Sequence, residues 1–370
     1  MLRSLRSPLL PAFAALVAIA AFAAAGASAS SPNSANAHLK HVFVIMEENH
    51  SLGGVIGDPD APTFTSLAHS YGVAENYYGV THPSLPNYIA LVGGSNFGLN
   101  VDDATAHFAA PNLADQLESH GYTWASYEES MPSAGYLGVS YPPQGALYAS
   151  KHNPFAHFDD VLNSPTRLQN VKPFTAFAAD LSSNHVADFN LIVPNQCHDM
   201  HGGVYATIDP GDGSPCPYDT VSGDAADQQL KAKADAWLNS TVSMIMHSKA
   251  WTGNSAIFIV ADEADFDGTQ LGNDQWADTS GCCDSPYLPA GDFPDNPGKP
   301  GFVWAGGIFG GGRTPAIVVT TNGPRGYVSM TPYNHYSLLT TIEDNWHLGH
   351  IGNAGDTAGG VVPMNDLLVH

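Results

Sequence analysis

Four short apolar runs in this chain each end abruptly in acidic or polar residues. They cover residues 41–46, 123–127, 189–193 and 256–261. Near-continuous apolar runs of this length are typical of strands buried on both faces of a parallel sheet. Because the carboxyl ends of parallel strands meet along one edge, we expect the polar residues after these runs to gather at one edge of a central sheet.

Helical patterns lie between the apolar runs. The clearest spans residues 224–251, where apolar residues recur at 3.6-residue spacing, and a second is predicted over 334–348, after a strand at 316–320. Strands that alternate with helices predict an α/β sandwich, in which helices cover both faces of a mostly parallel sheet. The stretch 268–312, rich in Gly, Pro and Asp, is predicted to be a long surface excursion that helps to wall the site.

The first 29 residues have a different character from the rest. Arg3 and Arg6 precede an apolar run over residues 9–25, and Ala27-Ser28-Ala29 follows it. This order is typical of a secretory signal peptide that is cleaved after small residues. The alternative is an uncleaved membrane anchor, for which the run is short and rich in Ala. We expect a signal peptide over 1–29, a single domain over 30–370, and a secreted or periplasmic location.

The charge balance excludes some classes of partner. The chain has 12 Lys+Arg against 35 Asp+Glu, a formal net charge of −23. A surface of this sign repels nucleic acid backbones and anionic headgroups, so we expect neither nucleic acid binding nor stable membrane association. The sequence leaves the oligomeric state open.

Four cysteines are an even number, and an exported chain can form disulfides. Cys197 and Cys216 bracket a loop rich in Gly, Asp and Pro, and we predict that they pair. Cys282 and Cys283 would then form a vicinal disulfide or stay reduced. Cross-pairing between the two sets is the alternative.

Three segments carry side chains suited to chemistry. Residues 47–51 place two carboxylates, an amide and an imidazole at a strand end, and residues 82–88 place Ser84 between two prolines, ahead of an apolar helical stretch over 88–92. A nucleophile at a helix N-terminus has backbone N–H groups beside it, which suits a phosphoryl intermediate. The alternatives are that Asn49 or Ser51 caps a helix, and that Ser84 is merely a cap.

Asp262 and Glu263 form the third segment, at the end of the fourth apolar run. Adjacent acids at the end of a buried strand repel each other unless a cation neutralises them. The combined candidate ligands offer oxygen donors only, which selects Mg²⁺, Mn²⁺ or Ca²⁺ over Zn²⁺. These ligands are Glu48, Asn49, Ser84, Asp262 and Glu263.

A set of seven segments is distributed in order along the chain: 48–51, 81–88, 93–96, 151–155, 194–201, 262–263 and 326–329. This set resembles the bacterial and fungal acid phosphatases of the phosphoesterase family, which also includes bacterial phospholipases C. The resemblance runs from about residue 41 to about residue 368, and residues 82–88 are its most specific part. It implies an α/β/α sandwich like that of alkaline phosphatase.

Carried over residue by residue, the resemblance implies that Ser84 is the nucleophile and that it holds a divalent metal together with Glu48, Asn49, Asp262 and Glu263. It makes three further residues candidates for phosphate contact and for protonation of the leaving group: His152, Asp199 and His201. His335 matches a late histidine of such folds loosely. Because the acids at the fourth strand end are followed by Ala264 and Asp265, Asp265 is an alternative to Glu263 as the second acidic ligand.

The resemblance therefore implies a secreted, metal-dependent acid phosphatase that hydrolyses small phosphomonoesters through a phosphoserine at Ser84. An imidazolium of His201 or His152 would protonate the departing alkoxide, and with an ordinary histidine pKa the activity should favour mildly acidic pH. One alternative is a phosphodiesterase or phospholipase C with the same core. Another is a secreted binding protein that has lost catalysis.

Overall fold

An eight-stranded sheet forms the centre of the fold. The computed structural model describes residues 38–183, 185–203, 207–218, 223–265, 278–286 and 310–369, which belong to one compact unit, Ala35–His370. The predicted signal peptide and most of the predicted excursion over 268–312 lie outside the described residues.

Within those residues the strands are β1 (His41–Glu47), β2 (Gly72–Ala74), β3 (Tyr77–Tyr78), β4 (Trp124–Glu128), β5 (Ser140–Tyr141), β6 (Tyr148–Ala149), β7 (Val171–Pro173), β8 (Phe189–Val193), β9 (Ser255–Ala261), β10 (Ala316–Thr320), β11 (Tyr327–Ser329) and β12 (Tyr333–Asn334). The α-helices are α1 (Leu52–Val55), α2 (Pro62–Ser70), α3 (Ser84–Gly93), α4 (Leu113–Ser119), α5 (Asp159–Leu162), α6 (Pro165–Leu168), α7 (Phe177–Ser183), α8 (Ala225–Met246) and α9 (His335–Trp346). Short 3₁₀ helices cover Ser150–His152, Pro154–His157, Phe174–Ala176, Lys249–Trp251 and Asn365–Leu367.

The strand order of the sheet is β11-β2-β10-β9-β1-β8-β4-β7. Strands β9, β1, β8, β4 and β7 run parallel, whereas β10 is antiparallel to both of its neighbours. The predicted mostly parallel sheet is therefore confirmed, and the four predicted buried strands lie within one residue of their predicted bounds. The carboxyl ends of β1, β8 and β9 meet at one edge of the sheet.

Alternate residues of the central strands pack against opposite layers of helices. In β1, Val42 and Val44 contribute to the apolar core that includes α3, α4 and α9, while Phe43 and Ile45 contribute to the core that includes α2, α7 and α8. This two-sided burial explains why the strands are apolar along their whole length. The α/β sandwich that the sequence predicts is confirmed.

Helix α8 ends earlier than its apolar pattern. It begins after Asp224, whose side chain accepts from the N–H groups of Ala226 and Asp227, but it ends at Met246 rather than at residue 251. His247 Nδ1 lies 2.8 Å from the Ser243 carbonyl oxygen, and Ser248 Oγ donates to the Ile245 carbonyl at 2.7 Å. These side chains satisfy carbonyls at the helix end and so stop the helix, although apolar residues continue beyond it.

The predicted disulfide is present, and of the two alternatives for the adjacent cysteines the vicinal disulfide is the one formed. Cys197 pairs with Cys216, and Cys282 pairs with its neighbour Cys283, so the cross-paired alternative is wrong. The first bridge closes the loop that follows β8. No helix in the described ranges combines the length and apolar character needed to cross a bilayer.

Candidate active site

Polar segments from three parallel strands are joined by backbone hydrogen bonds at the carboxyl edge. The Glu48 N–H donates to the Asp199 carbonyl at 2.9 Å, and the Asp262 N–H donates to the Glu47 carbonyl at 3.0 Å. These bonds extend the pairing of β1 with β8 and β9 beyond the strands themselves. The sequence prediction that the acids meet at one edge is therefore confirmed.

Ser84 is the first residue of α3 and is almost fully buried. It is not a helix cap, because the capping position is Pro83 and no side chain caps from there. Instead, the Leu85 N–H donates to Asp102 Oδ1 at 3.0 Å. Of the capping alternatives for residues 47–51, Ser51 does hold the N-cap position of α1, although its side chain makes no capping hydrogen bond, and Asn49 does not hold it.

The Ser84 hydroxyl is surrounded by three polar side chains. Asn49 Nδ2 lies 3.4 Å from Ser84 Oγ, and Ser84 Oγ donates to Glu263 Oε1 at 3.3 Å. Lys151 Nζ donates to Ser84 Oγ at 3.3 Å. The structure thus brings Ser84 together with two of its predicted partners and with a lysine to which the sequence analysis gave no role.

Lys151 and Asp102 are the residues that sequence reasoning missed. Lys151 Nζ lies 2.9 Å from Asp102 Oδ2, so Asp102 orients the ammonium and also caps the helix that carries Ser84. Burial would lower the pKa of Lys151, but the carboxylates of Asp102 and Glu48 outweigh burial and raise it well above its ordinary value. Lys151 is therefore a fixed positive charge beside the hydroxyl. The only feature of the sequence that could have indicated a role for Lys151 was its place beside His152 in the segment 151–155.

The acids at this edge repel one another. Burial, then Glu48 and Glu263, raise the pKa of Asp262 well above its usual range. Burial, then Asp102 and Glu48, do the same for Glu263. Glu48 behaves in the opposite way: burial would raise its pKa, but His152 and Lys151 lower it below the ordinary value. A concentration of buried acids of this kind is stabilised by a cation.

Three buried oxygen atoms of the predicted ligands make no hydrogen bond with the described residues, and one of them, Glu48 Oε1, lies in an ion pair with His152. Asn49 Oδ1 and Asp262 Oδ2 are buried and have no hydrogen-bond partner among the described residues. Asn49 adopts a left-handed backbone conformation, with φ of 49°, which asparagine tolerates better than most residues. Its N–H donates to Asp262 Oδ1 at 2.9 Å. Unpaired buried oxygens beside carboxylates fit a hard divalent cation.

The remaining candidates lie beside this group. Glu48, His152 and Asp199 each offer one donor atom, all within 4.8 Å of one another, an arrangement that could hold a metal ion. His152 Nε2 lies 2.5 Å from Glu48 Oε1. Burial and nearby Glu48 raise the pKa of Asp199 to about 8, although the N–H groups of His201 and Gly202 donate to its Oδ1.

His201 does not have the ordinary histidine pKa that the sequence analysis assumed. Its ring is buried and packs edge-on against Tyr218. Burial lowers the pKa of His201 to about 3. The His201 ring is therefore neutral at mildly acidic pH.

Two other sequence candidates, Asp265 and His335, lie near the site but do not contact Ser84. Asp265 Oδ1 accepts from the Ser51 N–H at 3.2 Å, so it is Glu263 and not Asp265 that reaches Ser84. His335 Nε2 donates to the Asp262 carbonyl at 2.6 Å, and the Tyr77 hydroxyl donates to His335 Nδ1 at 2.9 Å. His335 is therefore a support for the Asp262 backbone.

The buried carboxyl of Glu128, at the end of β4, makes stability depend on pH. Burial raises the pKa of Glu128 to about 8 from an unfolded value near 4.5, although Ser126 Oγ donates to it at 2.6 Å. The folded chain therefore keeps a proton that the unfolded chain loses, and stability falls as pH rises from about 4.5 to about 8.

We expect Glu128→Gln to reduce the drop in melting temperature between pH 5 and pH 8, measured by thermal unfolding with chelator present. At pH 8 the substitution should raise the free energy of unfolding by an amount on the order of a few kcal/mol, because each unit of pKa shift corresponds to about 1.4 kcal/mol. Glu75→Gln is the matched control, since the Glu75 side chain is 39% exposed. A pH dependence that is identical in wild type and Glu128→Gln would contradict this assignment.

Comparison with known proteins identifies the family. The sequence model of the Phosphoesterase family matches residues 57–213 and 224–349. The chain belongs to this family. The match covers α2 to α9 and includes Ser84, Lys151, Asp262 and Glu263, so the resemblance that the sequence motifs indicated is confirmed.

Individual relatives are similar to this chain over part of their own length. An acid phosphatase of Aspergillus fumigatus is 38% identical over 281 residues, which are 75% of this chain and 48% of that protein. A phosphatidylinositol-3-phosphatase of Mycobacterium tuberculosis is 32% identical over 226 residues, which are 61% of this chain and 64% of that protein. The chain thus spans about half to two thirds of the length of these relatives.

A solved structure shares the fold of this phosphoesterase. It is the lipoteichoic acid synthase LtaP from Listeria monocytogenes, with a TM-score of 0.50 and 13% sequence identity over 92% of this chain and 78% of that chain. At this level of identity the likeness concerns the fold alone.

Proposed function

We propose that this phosphoesterase is a metal-dependent acid phosphatase that hydrolyses phosphomonoesters through a phosphoserine at Ser84. The observation that carries the proposal is the set of side chains around the Ser84 hydroxyl: Glu263 Oε1 and Lys151 Nζ at 3.3 Å and Asn49 Nδ2 at 3.4 Å. Relatives named acid phosphatase, including the Aspergillus protein, support the reaction class.

The proposed ligands of a divalent cation are Glu48, Asn49, Ser84, Asp262 and Glu263. The unpartnered oxygens of Asn49 and Asp262 support this set, and oxygen donors favour Mg²⁺, Mn²⁺ or Ca²⁺. When bound, such an ion supplies positive charge that offsets the charge of the phosphate oxygens and of the clustered acids.

The chain's own residues supply the remaining steps. Ser84 Oγ attacks phosphorus, the bond from phosphorus to the alcohol oxygen breaks, and the hydroxyl proton leaves toward Glu263 Oε1, which a bound cation would keep ionised. The Lys151 ammonium, held by Asp102, stabilises the equatorial oxygens of the transferring phosphoryl group. Water then hydrolyses the phosphoserine and releases phosphate and free Ser84.

We propose that His152, rather than His201, is the general acid that protonates the departing alkoxide. His201 is neutral at mildly acidic pH because burial lowers its pKa to about 3. The His152 ring is buried, and its Nε2 lies 2.5 Å from Glu48 Oε1, beside the proposed ligands of the cation. His201 and Asp199 then serve as phosphate contacts.

The sequence supports the wider setting of this function. We propose a cleaved signal peptide over residues 1–29, a single catalytic domain over 30–370 and a secreted or periplasmic location. The net charge of −23 supports small, soluble phosphomonoesters as substrates, with no nucleic acid and no stable membrane association.

A phosphate-release assay on the purified chain tests the reaction. We expect p-nitrophenyl phosphate to be cleaved at least about tenfold more efficiently than bis(p-nitrophenyl) phosphate, a difference of roughly 1.4 kcal/mol in transition-state binding, since the diester lacks one negative charge. Chelator should abolish the release. Comparable rates on the two esters, or preferential cleavage of phosphatidylcholine vesicles, would favour the phosphodiesterase or phospholipase C alternative.

A monoester carried by a lipid headgroup is a second candidate substrate, favoured by the similarity to the mycobacterial phosphatidylinositol-3-phosphatase. Vesicles that contain phosphatidylinositol 3-phosphate, compared with a short-chain soluble analogue, test this candidate. Faster release from the vesicles would contradict the expectation of a soluble substrate.

A further inference from the structure

An exposed aromatic side chain, that of Tyr218, packs on a residue of the candidate active site. Its ring lies edge-on against His201, with the ring centroids 4.4 Å apart and the ring planes at 78°. His201 is 4% exposed, whereas Tyr218 is 44% exposed. The Tyr218 ring therefore lies between the buried histidine and solvent.

His201 belongs to the group of side chains next to the nucleophile. Its N–H donates to Asp199 Oδ1 at 2.9 Å. Donor atoms of Asp199, Glu48 and His152 lie within 4.8 Å of one another, and the Glu48 N–H donates to the Asp199 carbonyl at 2.9 Å. A side chain that packs on His201 is therefore adjacent to the residues that we propose as phosphate contacts.

The charged groups around Ser84 act on the Tyr218 hydroxyl as well. Burial raises the pKa of Tyr218 to about 12, while nearby Lys151 acts in the opposite direction and Glu263 raises the pKa further. Lys151 Nζ and Glu263 Oε1 each lie 3.3 Å from Ser84 Oγ. The same two residues are thus close to both the nucleophile and Tyr218, and the hydroxyl of Tyr218 is uncharged.

Backbone pairing holds Tyr218 in this position. The Tyr218 N–H donates to the Gly203 carbonyl at 3.1 Å, and the Gly203 N–H donates to the Cys216 carbonyl at 3.0 Å. Cys216 is held in turn by its disulfide. Gly202 has a φ of 78°, and a Cβ added there would lie 2.1 Å from the Pro217 carbonyl oxygen, so this close approach requires glycine. The ring is therefore presented by a fixed loop.

We propose that Tyr218 is a specificity-determining residue whose ring contacts the alcohol portion of the phosphomonoester and favours alcohols with an aromatic face. The inference rests on the proposed phosphatase function. A monoester has a single substituent, and when its phosphorus lies at the buried Ser84 this substituent must extend toward solvent, past the Tyr218 ring. An aromatic group packed on an aromatic ring gains more than the burial of apolar area alone.

Binding of two phosphonates tests this contact without turnover: 2-phenylethylphosphonate and ethylphosphonate. Both have the same head group and no ester bond, so the ratio of their dissociation constants, measured by calorimetry with Mn²⁺ present, isolates the ring. We expect wild type to bind the phenylethyl compound about fivefold more tightly and Tyr218→Ala to lose most of this preference. Tyr218→Phe retains the ring and should show the wild-type preference. So should the matched control Tyr327→Ala, since Tyr327 is 37% exposed on edge strand β11.

Turnover of 2-phenylethyl phosphate and ethyl phosphate gives a second measurement. Because the ring contacts the alcohol portion and not the phosphorus, Tyr218→Ala should change the ratio of the two KM values much more than the ratio of the two kcat values.

A phosphonate preference that is absent in wild type, or unchanged in Tyr218→Ala, would overturn the role of Tyr218. So would equal weakening of both phosphonates by Tyr218→Ala, since Tyr218 would then act only through His201 on the phosphate group. If wild type released no phosphate from either ester but kept the phosphonate preference that Tyr218→Ala removes, the contact with Tyr218 would stand and the phosphatase function would be wrong.

Discussion

Ser84→Ala should lower phosphate release by at least about a thousandfold, because it removes the oxygen that would form the covalent intermediate. The melting temperature should hardly change. The hydroxyl makes only contacts of 3.3–3.4 Å, and the backbone N–H that follows it is held by Asp102. Steady-state assays with p-nitrophenyl phosphate and thermal unfolding measure the two quantities.

A matched control for this substitution is Ser182→Ala. Ser182 is exposed in α7, and its Oγ donates only to the Ala179 carbonyl at 3.0 Å. The Ser182→Ala variant should release phosphate at the wild-type rate. An acid-quenched reaction of the wild type should also yield phosphate on the peptide that contains Ser84. More than about a tenth of the wild-type rate in Ser84→Ala, or phosphate trapped on a different peptide, would exclude Ser84 as the nucleophile.

Asp262→Asn should weaken binding of the divalent ion and lower phosphate release by about a hundredfold or more. The substitution should not destabilise the metal-free protein, but it should make the protein less stable than wild type when metal is present. Without metal, the variant should unfold at the same temperature as wild type or higher, since it removes a charge that burial, Glu48 and Glu263 all disfavour. The asparagine Oδ1 can still accept from the Asn49 and Glu263 N–H groups.

With metal at about a hundred times its dissociation constant, wild type should gain roughly 2.7 kcal/mol of stability, and the variant should gain much less. Elemental analysis and unfolding curves with and without Mn²⁺ measure both effects. Asp103→Asn is the control, because Asp103 is exposed and its Oδ1 likewise accepts from a backbone N–H, that of Thr105. Metal retained at the wild-type level in Asp262→Asn would contradict its assignment as a ligand.

The contacts behind the proposed metal ligands show why partners distant in sequence were hard to predict. His50 Nε2 lies 2.7 Å from Asp227 Oδ1, and its Nδ1 lies 3.1 Å from the Glu48 carbonyl oxygen. Asp227 is in the first turn of α8 and also pairs with Lys231. This buried connection from α8 to the end of β1 depends on how the helix packs on the sheet. No local pattern in the sequence indicates it.

The local sequence pattern was sufficient to predict the bounds of strands that are buried along their whole length. Strands β8 and β10 have their predicted bounds because continuous apolar runs bounded by polar residues describe strands that are buried on both faces. The predicted end of α8 was wrong because the side chains of His247 and Ser248 serve as partners for the last carbonyls and end the helix at Met246. Hydrophobic periodicity contains no information about such hydrogen bonds.

By itself, the sequence determined that acids would gather at the carboxyl edge of a mostly parallel sheet, because buried apolar runs that alternate with helices each end in polar residues. The place of Ser84 beside these acids was implied by the family resemblance. Only the tertiary structure decided that Lys151 and Asp102 reach Ser84, that Glu263 rather than Asp265 faces it, and that His201 is neutral. Each of these depends on distances and burial between segments that lie far apart in the chain. Such distances are determined by the packing of helices on the sheet, and burial then sets the charge state of each group.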